Sequence, residues 1–233
     1  MKLGGIQKLT LLDYPEHVAC TIFTKGCNLR CPFCHNSSLV MPDLINETED
    51  LPVEDVMEFL EKRKGRLDGV CVTGGEPLLQ PDIKEFIKRI KDMGFLVKLD
   101  TNGSFPEKLK ELVDEHLIDY AAMDIKSSPA EYAKISGTTN PPIERMQESM
   151  RILKESGIGY EFRTTIVEEF HNEEVMEDIG KFLAGAPKYY LQRFVDSGEL
   201  IDEGLHPVKE ERLNKFLEIV QKYVPDAKIR GSL

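Results

Sequence analysis

Short apolar runs rich in β-branched residues alternate along the chain with longer stretches whose apolar residues recur at helical spacing, and that alternation restricts the fold to a parallel sheet covered by helices. Val-Ala-Cys-Thr-Ile-Phe-Thr over 18–24 reads as a buried strand, and Gly-Val-Cys-Val-Thr over 69–73 as a second. Between them Val53, Val56, Met57 and Leu60 share a helical face, with Pro52 before the helix and Gly65 after it. A helix opened by Pro81 carries Ile83, Phe86, Ile87 and Ile90 on one face and stops at Gly94. Further strands are expected over 95–99, 120–125, 160–167 and 189–194, and further helices over 107–115, 143–155, 173–183 and 207–223, before a short C-terminal segment containing Ile229. Roughly six strand–helix units result, fewer than the eight of a closed TIM barrel. An open doubly wound sheet and an incomplete barrel both satisfy this α/β pattern, each as a single domain over 1–233.

The loop after the first of these strands holds the most specific chemistry. Cys27, Cys31 and Cys34 lie within eight residues, spaced Cys-x3-Cys-x2-Cys. Three thiolates are one too few to close a tetrahedral zinc site or to fill every corner of a cubane iron–sulfur cluster. A cluster held in this way leaves one iron open to a small molecule, as a catalytic centre requires. The structural alternative is a zinc site completed by His35 or another residue. Cys20 and Cys71 fall within apolar strands and read as small buried hydrophobes rather than as part of a disulfide framework.

Composition removes several function classes. A formal net charge of -11 argues against a nucleic-acid partner, which calls for a basic surface. No apolar run approaches the roughly 20 residues that cross a bilayer, so no membrane partner is expected. The opening Met1-Lys2-Leu3-Gly4-Gly5-Ile6 lacks a signal core, which points to the cytoplasm. The acidic residues Glu47, Glu49 and Asp50 read as a solvated face.

Each unusual polar motif falls at the carboxyl end of a strand, where ligands gather in parallel α/β folds. In order these are the cysteine loop, Gly74-Gly75-Glu76-Pro77, Asp100-Thr101-Asn102-Gly103, Asp124-Ile125-Lys126, Arg163 and Gln192-Arg193-Phe194. Glycines that permit close approach, several carboxylates and the cations Lys126 and Arg163 suit a zwitterionic ligand carrying an amine and a carboxylate. Taken singly, the glycines could form a tight turn, the aspartates could cap helices and the cations could be solvated.

Cys-x3-Cys-x-Phe-Cys with Phe33 as its aromatic, together with Gly-Gly-Glu-Pro after the next strand, resembles the radical S-adenosylmethionine (SAM) superfamily. The Cys34-His35-Asn36 ending, Asp100-Thr101-Asn102-Gly103 and Asp124-Ile125-Lys126 resemble its glycyl-radical-enzyme activating proteins, above all the activating component of anaerobic ribonucleoside-triphosphate reductase. The resemblance implies a partial (β/α)6 TIM-like barrel with outer helices and a [4Fe-4S] cluster on Cys27, Cys31 and Cys34. SAM would chelate the open iron, and its reductive cleavage would yield a 5'-deoxyadenosyl radical that takes a hydrogen from a glycine of the partner. Gly74, Gly75 and Glu76 would hold the SAM amino end. Asp100, Asn102, Asp124, Lys126 and Arg163 would surround its methionine and ribose portions, with Asn36 and Gln192 on the adenosine side and Phe33 beside the cluster. His35 would orient the loop. The implied partners are a glycyl radical enzyme, the anaerobic reductase large subunit first, and reduced flavodoxin or ferredoxin as electron donor. A radical SAM enzyme acting on a small molecule, such as a 7-carboxy-7-deazaguanine synthase, and a non-catalytic iron–sulfur electron-transfer protein are the alternatives.

Overall fold

The computed structural model describes residues 1–231. Its strands are β1 (Leu3–Thr10), β2 (Ala19–Thr24), β3 (Gly69–Gly74), β4 (Leu96–Thr101), β5 (Tyr120–Asp124), β6 (Gly159–Ile166), β7 (Tyr189–Arg193) and β8 (Lys228–Arg230). They form one sheet in chain order. The helices are α1 (Ser37–Val40), α2 (Pro42–Ile45), α3 (Val53–Glu61), α4 (Ile83–Asp92), α5 (Pro106–Asp114), α6 (Tyr132–Ser136), α7 (Ile143–Glu155), α8 (Glu173–Phe182) and α9 (Glu210–Gln221), with a 3-10 turn at Pro77–Leu79. The six expected strands are therefore β2 to β7. The sheet adds β1, antiparallel to β2, and the short β8, parallel to β7.

The chain divides into two compact units. Met1–Asn28, Ser38–Ala122 and Glu144–Gly159 make the first; Leu29–Ser37, Met123–Ile143 and the chain from Tyr160 onward make the second. In the first unit β2, β3 and β4 run parallel, with Thr21 beside Cys71 and Cys71 beside Lys98. β2 is buried on both faces, which explains its unbroken apolar and β-branched sequence. The stripe Ile83, Phe86, Ile87 and Ile90 of α4 is no more than 3% exposed. Each of these side chains adds about 2 kcal/mol of burial. Gly94 ends the turn after α4 at φ +90°, a conformation that costs glycine nothing.

In the second unit β6, β7 and β8 are parallel. The side chain of Asn172 caps α8 by accepting from the Val175 N–H at 2.9 Å. A Cβ at Gly180 of α8 would lie 2.6 Å from the Tyr223 ring, so glycine sets how closely that helix packs. The guanidinium of Arg230 holds β8 in place by donating to both carboxylate oxygens of the fully buried Glu161 and stacking 3.6 Å from the Tyr190 ring centroid. α9 begins three residues later than the expected Pro207, because Pro207 bridges to Val167 before the helix starts. Among the described residues no helix is long and apolar enough to cross a membrane.

Candidate functional site

The cysteine loop passes from the first unit to the second between Asn28 and Leu29. Its first thiol therefore belongs with the ends of β2, β3 and β4. Lys25, 2% exposed, follows β2 and donates through Nζ to the carbonyls of Thr48 at 2.7 Å and Glu49 at 3.1 Å and to Asp50 Oδ1 at 2.6 Å. The acidic stretch is thus more than a solvated face: its backbone and Asp50 clasp the residue two places before Cys27. The Lys25 hydrogen bond holds the Asp50 carboxyl below its usual range.

Gly74 and Gly75 sit where side chains cannot. A Cβ on Gly74, at φ +117°, would lie 2.3 Å from the Thr24 nitrogen, and one on Gly75 would lie 2.0 Å from the Gly26 carbonyl oxygen. The segments are laced by Gly75 N–H donating to Thr24 O at 2.9 Å and Glu76 N–H donating to Gly26 O at 2.8 Å. Glu76 is fully buried. Its carboxylate accepts from Leu78 N–H at 3.0 Å, Thr101 Oγ1 at 2.8 Å and Asn102 N–H at 2.7 Å, so it joins the turn after β3 to the end of β4. Asn102 in turn donates through Nδ2 to Asn28 Oδ1 at 2.9 Å and to Cys27 Sγ at 3.8 Å. Asp100, 9% exposed, pairs with Lys98.

The second unit holds Cys31, Phe33, Cys34 and Asn36 together with Asp124, Lys126, Arg163 and Gln192. Asp124 Oδ1 accepts from Arg163 Nε at 2.5 Å and Oδ2 from Lys126 Nζ at 2.8 Å. Burial works to raise the Asp124 pKa, but the two cations outweigh it and hold the carboxyl well below its usual range. The reverse balance holds Lys126 well above its own. Burial pushes the Cys31 thiol up to about 11, opposed by Lys126 and reinforced by Cys34. Cys34 is raised by burial against a backbone hydrogen bond from Asn36. Phe33 packs 6.0 Å from Phe170, and His35 Nδ1 lies 3.2 Å from Ser197 Oγ, with its ring 5.8 Å from that of Phe194. The Asp202 N–H donates to Pro32 O at 3.0 Å. The loop after β7 therefore braces the cysteine loop, a contact that no spacing in the sequence announces. Gln192 lies half-buried on β7 beside Thr165 and Arg230.

Lys25, Lys98, Thr101 and His171 were not among the expected site residues. A lysine inside an otherwise apolar strand is the signal that could have found Lys98. His171, 1% exposed, has Nδ1 3.0 Å from Val167 N and 3.1 Å from Val167 O, and Nε2 3.1 Å from Lys126 O; a proton on Nε2 lets the neutral ring donate to Lys126 O while Nδ1 accepts from the Val167 N–H. Burial pushes its pKa down to about 4. An unfolded histidine takes its proton near 6.5, so the stabilisation is complete above that pH and is lost as the pH falls toward 4, about 3 kcal/mol in all. Urea unfolding of the metal-free protein between pH 7 and 4.5 should show this loss, and His171→Gln should flatten the slope; equal slopes in the two proteins would refute the assignment.

No disulfide joins any of the five cysteines. Among the described residues no three His, Cys, Asp or Glu side chains already form a metal cage. The donor chemistry nonetheless fits an iron–sulfur cluster. Three thiols share one loop, and a metal would draw them inward as it displaces their protons. The absence of side chains at Gly74 and Gly75 lets the turn after β3 lie directly against the backbone of Thr24 and Gly26, at the start of the cysteine loop.

The sequence pattern of the radical SAM superfamily matches residues 21–183. The chain belongs to the radical SAM superfamily. It is an enzyme of that type, and its cofactors are the superfamily's [4Fe-4S] cluster and SAM. A Methanocaldococcus jannaschii protein, provisionally named a glycyl-radical enzyme activating enzyme, is 32% identical over 98% of this chain and 95% of its own. The pyruvate formate-lyase-activating enzyme of Listeria monocytogenes is 36% identical over 61% of this chain and 60% of its own. The 7-carboxy-7-deazaguanine synthase of Thermococcus kodakarensis is 29% identical over 64% of each. Among solved structures, Streptococcus suis SuiB bound to precursor peptide SuiA superposes with a TM-score of 0.70 at 16% identity, over 91% of this chain and 48% of that one. This likeness supports the α/β partial-barrel architecture.

Proposed function

We propose that this enzyme is an activase that installs a glycyl radical on a partner polypeptide. The partner is the large subunit of an anaerobic ribonucleoside-triphosphate reductase, the electron donor is reduced flavodoxin or ferredoxin, and the compartment is the cytoplasm. The observation that carries this reading is the likeness to the Methanocaldococcus protein along nearly the full length of both chains. The deazaguanine synthase shares about two thirds of each chain, and that likeness favours a small-molecule radical SAM reaction as the second reading.

In the proposed roles Cys27, Cys31 and Cys34 ligate the cluster, which with SAM supplies hydrogen abstraction. Gly74 and Gly75 admit the amino end of SAM, and Glu76 fixes that turn from beneath. Asp100 and Asn102 at the end of β4, and Asp124, Lys126 and Arg163 in the second unit, present fixed charges and donors to the remainder. Asn36 and Gln192 face the adenosine. The Asp124 ion pairs keep the Lys126 and Arg163 side chains in one orientation, so little reorganisation accompanies binding.

The reading is tested by anaerobic reconstitution with iron and sulfide, reduction, and mixing with SAM and the reductase large subunit. A glycyl-radical doublet by EPR, together with 5'-deoxyadenosine, is the expected result. Deoxyadenosine without a doublet would discard this partner in favour of the small-molecule reading. An intact reduced cluster that yields no deoxyadenosine would overturn the activity itself.

A further inference from the structure

Lys98 is a charged side chain buried almost completely, 1% exposed in the middle of β4. Its strand neighbours Val97 and Leu99 are fully buried, so nothing local asks for a charge. In register it stands beside Cys71, which stands beside Thr21, making one row across β4, β3 and β2. The row is satisfied internally: Thr21 Oγ1 donates to Asp13 Oδ2 at 2.5 Å, and Lys98 Nζ lies 3.8 Å from Cys71 Sγ. Two residues further along the same face, Asp100 Oδ1 accepts from the Lys98 ammonium.

An ion pair at such depth adds little net stability, and an apolar side chain of similar volume would fill the space at least as well. Packing alone therefore does not account for a lysine. The two charges are also placed unequally. Asp100 stands at the strand end, next to Thr101 and Asn102, which bind Glu76, and Asn102 reaches Cys27. Lys98 lies one layer deeper, away from those groups.

We infer that Lys98 is a positioning residue whose ammonium is a built-in counter-charge, fixing the Asp100 carboxylate toward SAM without a cation from solution. The inference rests on the reading above that Asp100 faces SAM. Held at one oxygen from below, the carboxylate has its orientation set before the cofactor arrives, and its charge is matched at the same point.

The test removes the ammonium and returns it from solution. SAM affinity of the anaerobically reconstituted wild type should not change when choline chloride is exchanged for ammonium chloride at equal ionic strength. Lys98→Ala should bind SAM about tenfold more weakly or worse, as expected for a buried carboxylate that loses its adjacent ammonium, and should regain affinity in ammonium. The cluster-free Lys98→Ala protein should melt at a higher temperature in ammonium than in choline, and the double variant Lys98→Ala/Asp100→Asn should lose that response. Wild-type SAM affinity in Lys98→Ala, or no ammonium effect on either affinity or melting, would overturn the inference. Wild-type SAM affinity in Asp100→Asn would instead remove Asp100 from the SAM site; the underlying reading then fails, while the cluster-free melting response still decides independently whether Lys98 is the counter-charge of Asp100.

Discussion

Cys31→Ala is expected to leave a folded protein that holds no cluster. Cys31 is 8% exposed, and replacing a small buried thiol with alanine removes one atom, at a cost of about 1 kcal/mol. Its loss from the proposed ligand set is far more damaging, because two thiolates cannot hold a cubane that needs at least three protein ligands to stay in place. Iron and sulfide retained after anaerobic reconstitution should fall to background, and SAM cleavage should drop by more than about 100-fold. Cys20→Ala and Cys71→Ala supply the contrast, since both thiols are fully buried within strands and Cys20 is raised by that burial to about 12. Those variants should lose stability while retaining iron. Full iron in Cys31→Ala, or iron lost from a folded Cys20→Ala, would break the ligand assignment.

The burial of Cys20 and Cys71 within strands was legible in the sequence because strand context is a local property. The same holds for α4 and β2, whose apolar residues follow the helical and buried-strand patterns without interruption. β1 was not legible. Its Leu-Gly-Gly-Ile-Gln-Lys-Leu-Thr sequence carries two glycines and exposes three consecutive residues at an edge, so it shows neither a buried run nor a clean alternation. The helices α1, α2 and α6 have no more than five residues each, too few for a 3.6-residue period to show.

Within the candidate site, residue types could be read and their partners could not. Glu76 was marked by the motif it belongs to, but its clasp on Thr101 and Asn102 spans 25 and 26 residues of chain. Lys25 and Lys98 illustrate the harder case. Lysine is almost always a surface residue, so a single buried ammonium is overlooked until its acceptors are seen. Those acceptors, two backbone carbonyls and Asp50 for Lys25, and Asp100 for Lys98, are set by tertiary packing rather than by spacing.

Gly75→Ala tests whether the turn after β3 and the start of the cysteine loop act as one rigid piece. The added methyl would stand 2.0 Å from the Gly26 carbonyl oxygen and 2.7 Å from its carbon, and both are backbone atoms that no rotamer change can move aside. The two segments would have to separate. That would strain the Glu76 N–H to Gly26 O bond and the Gly75 N–H to Thr24 O bond. Overpacking of this kind costs about 3 kcal/mol, which for a chain of this length lowers the melting temperature by roughly 10 °C. Gly5→Ala is the matched control: nothing lies within 4 Å of its added carbon, so it should melt close to the wild type. Because Gly26 directly precedes Cys27, the displacement should also lower the yield of reconstituted cluster and the affinity for SAM in Gly75→Ala while sparing both in Gly5→Ala. A Gly75→Ala protein that melts and binds SAM like the wild type would mean that the close approach of the two backbones is not required, and the proposed cradle at Gly74 and Gly75 would fall with it.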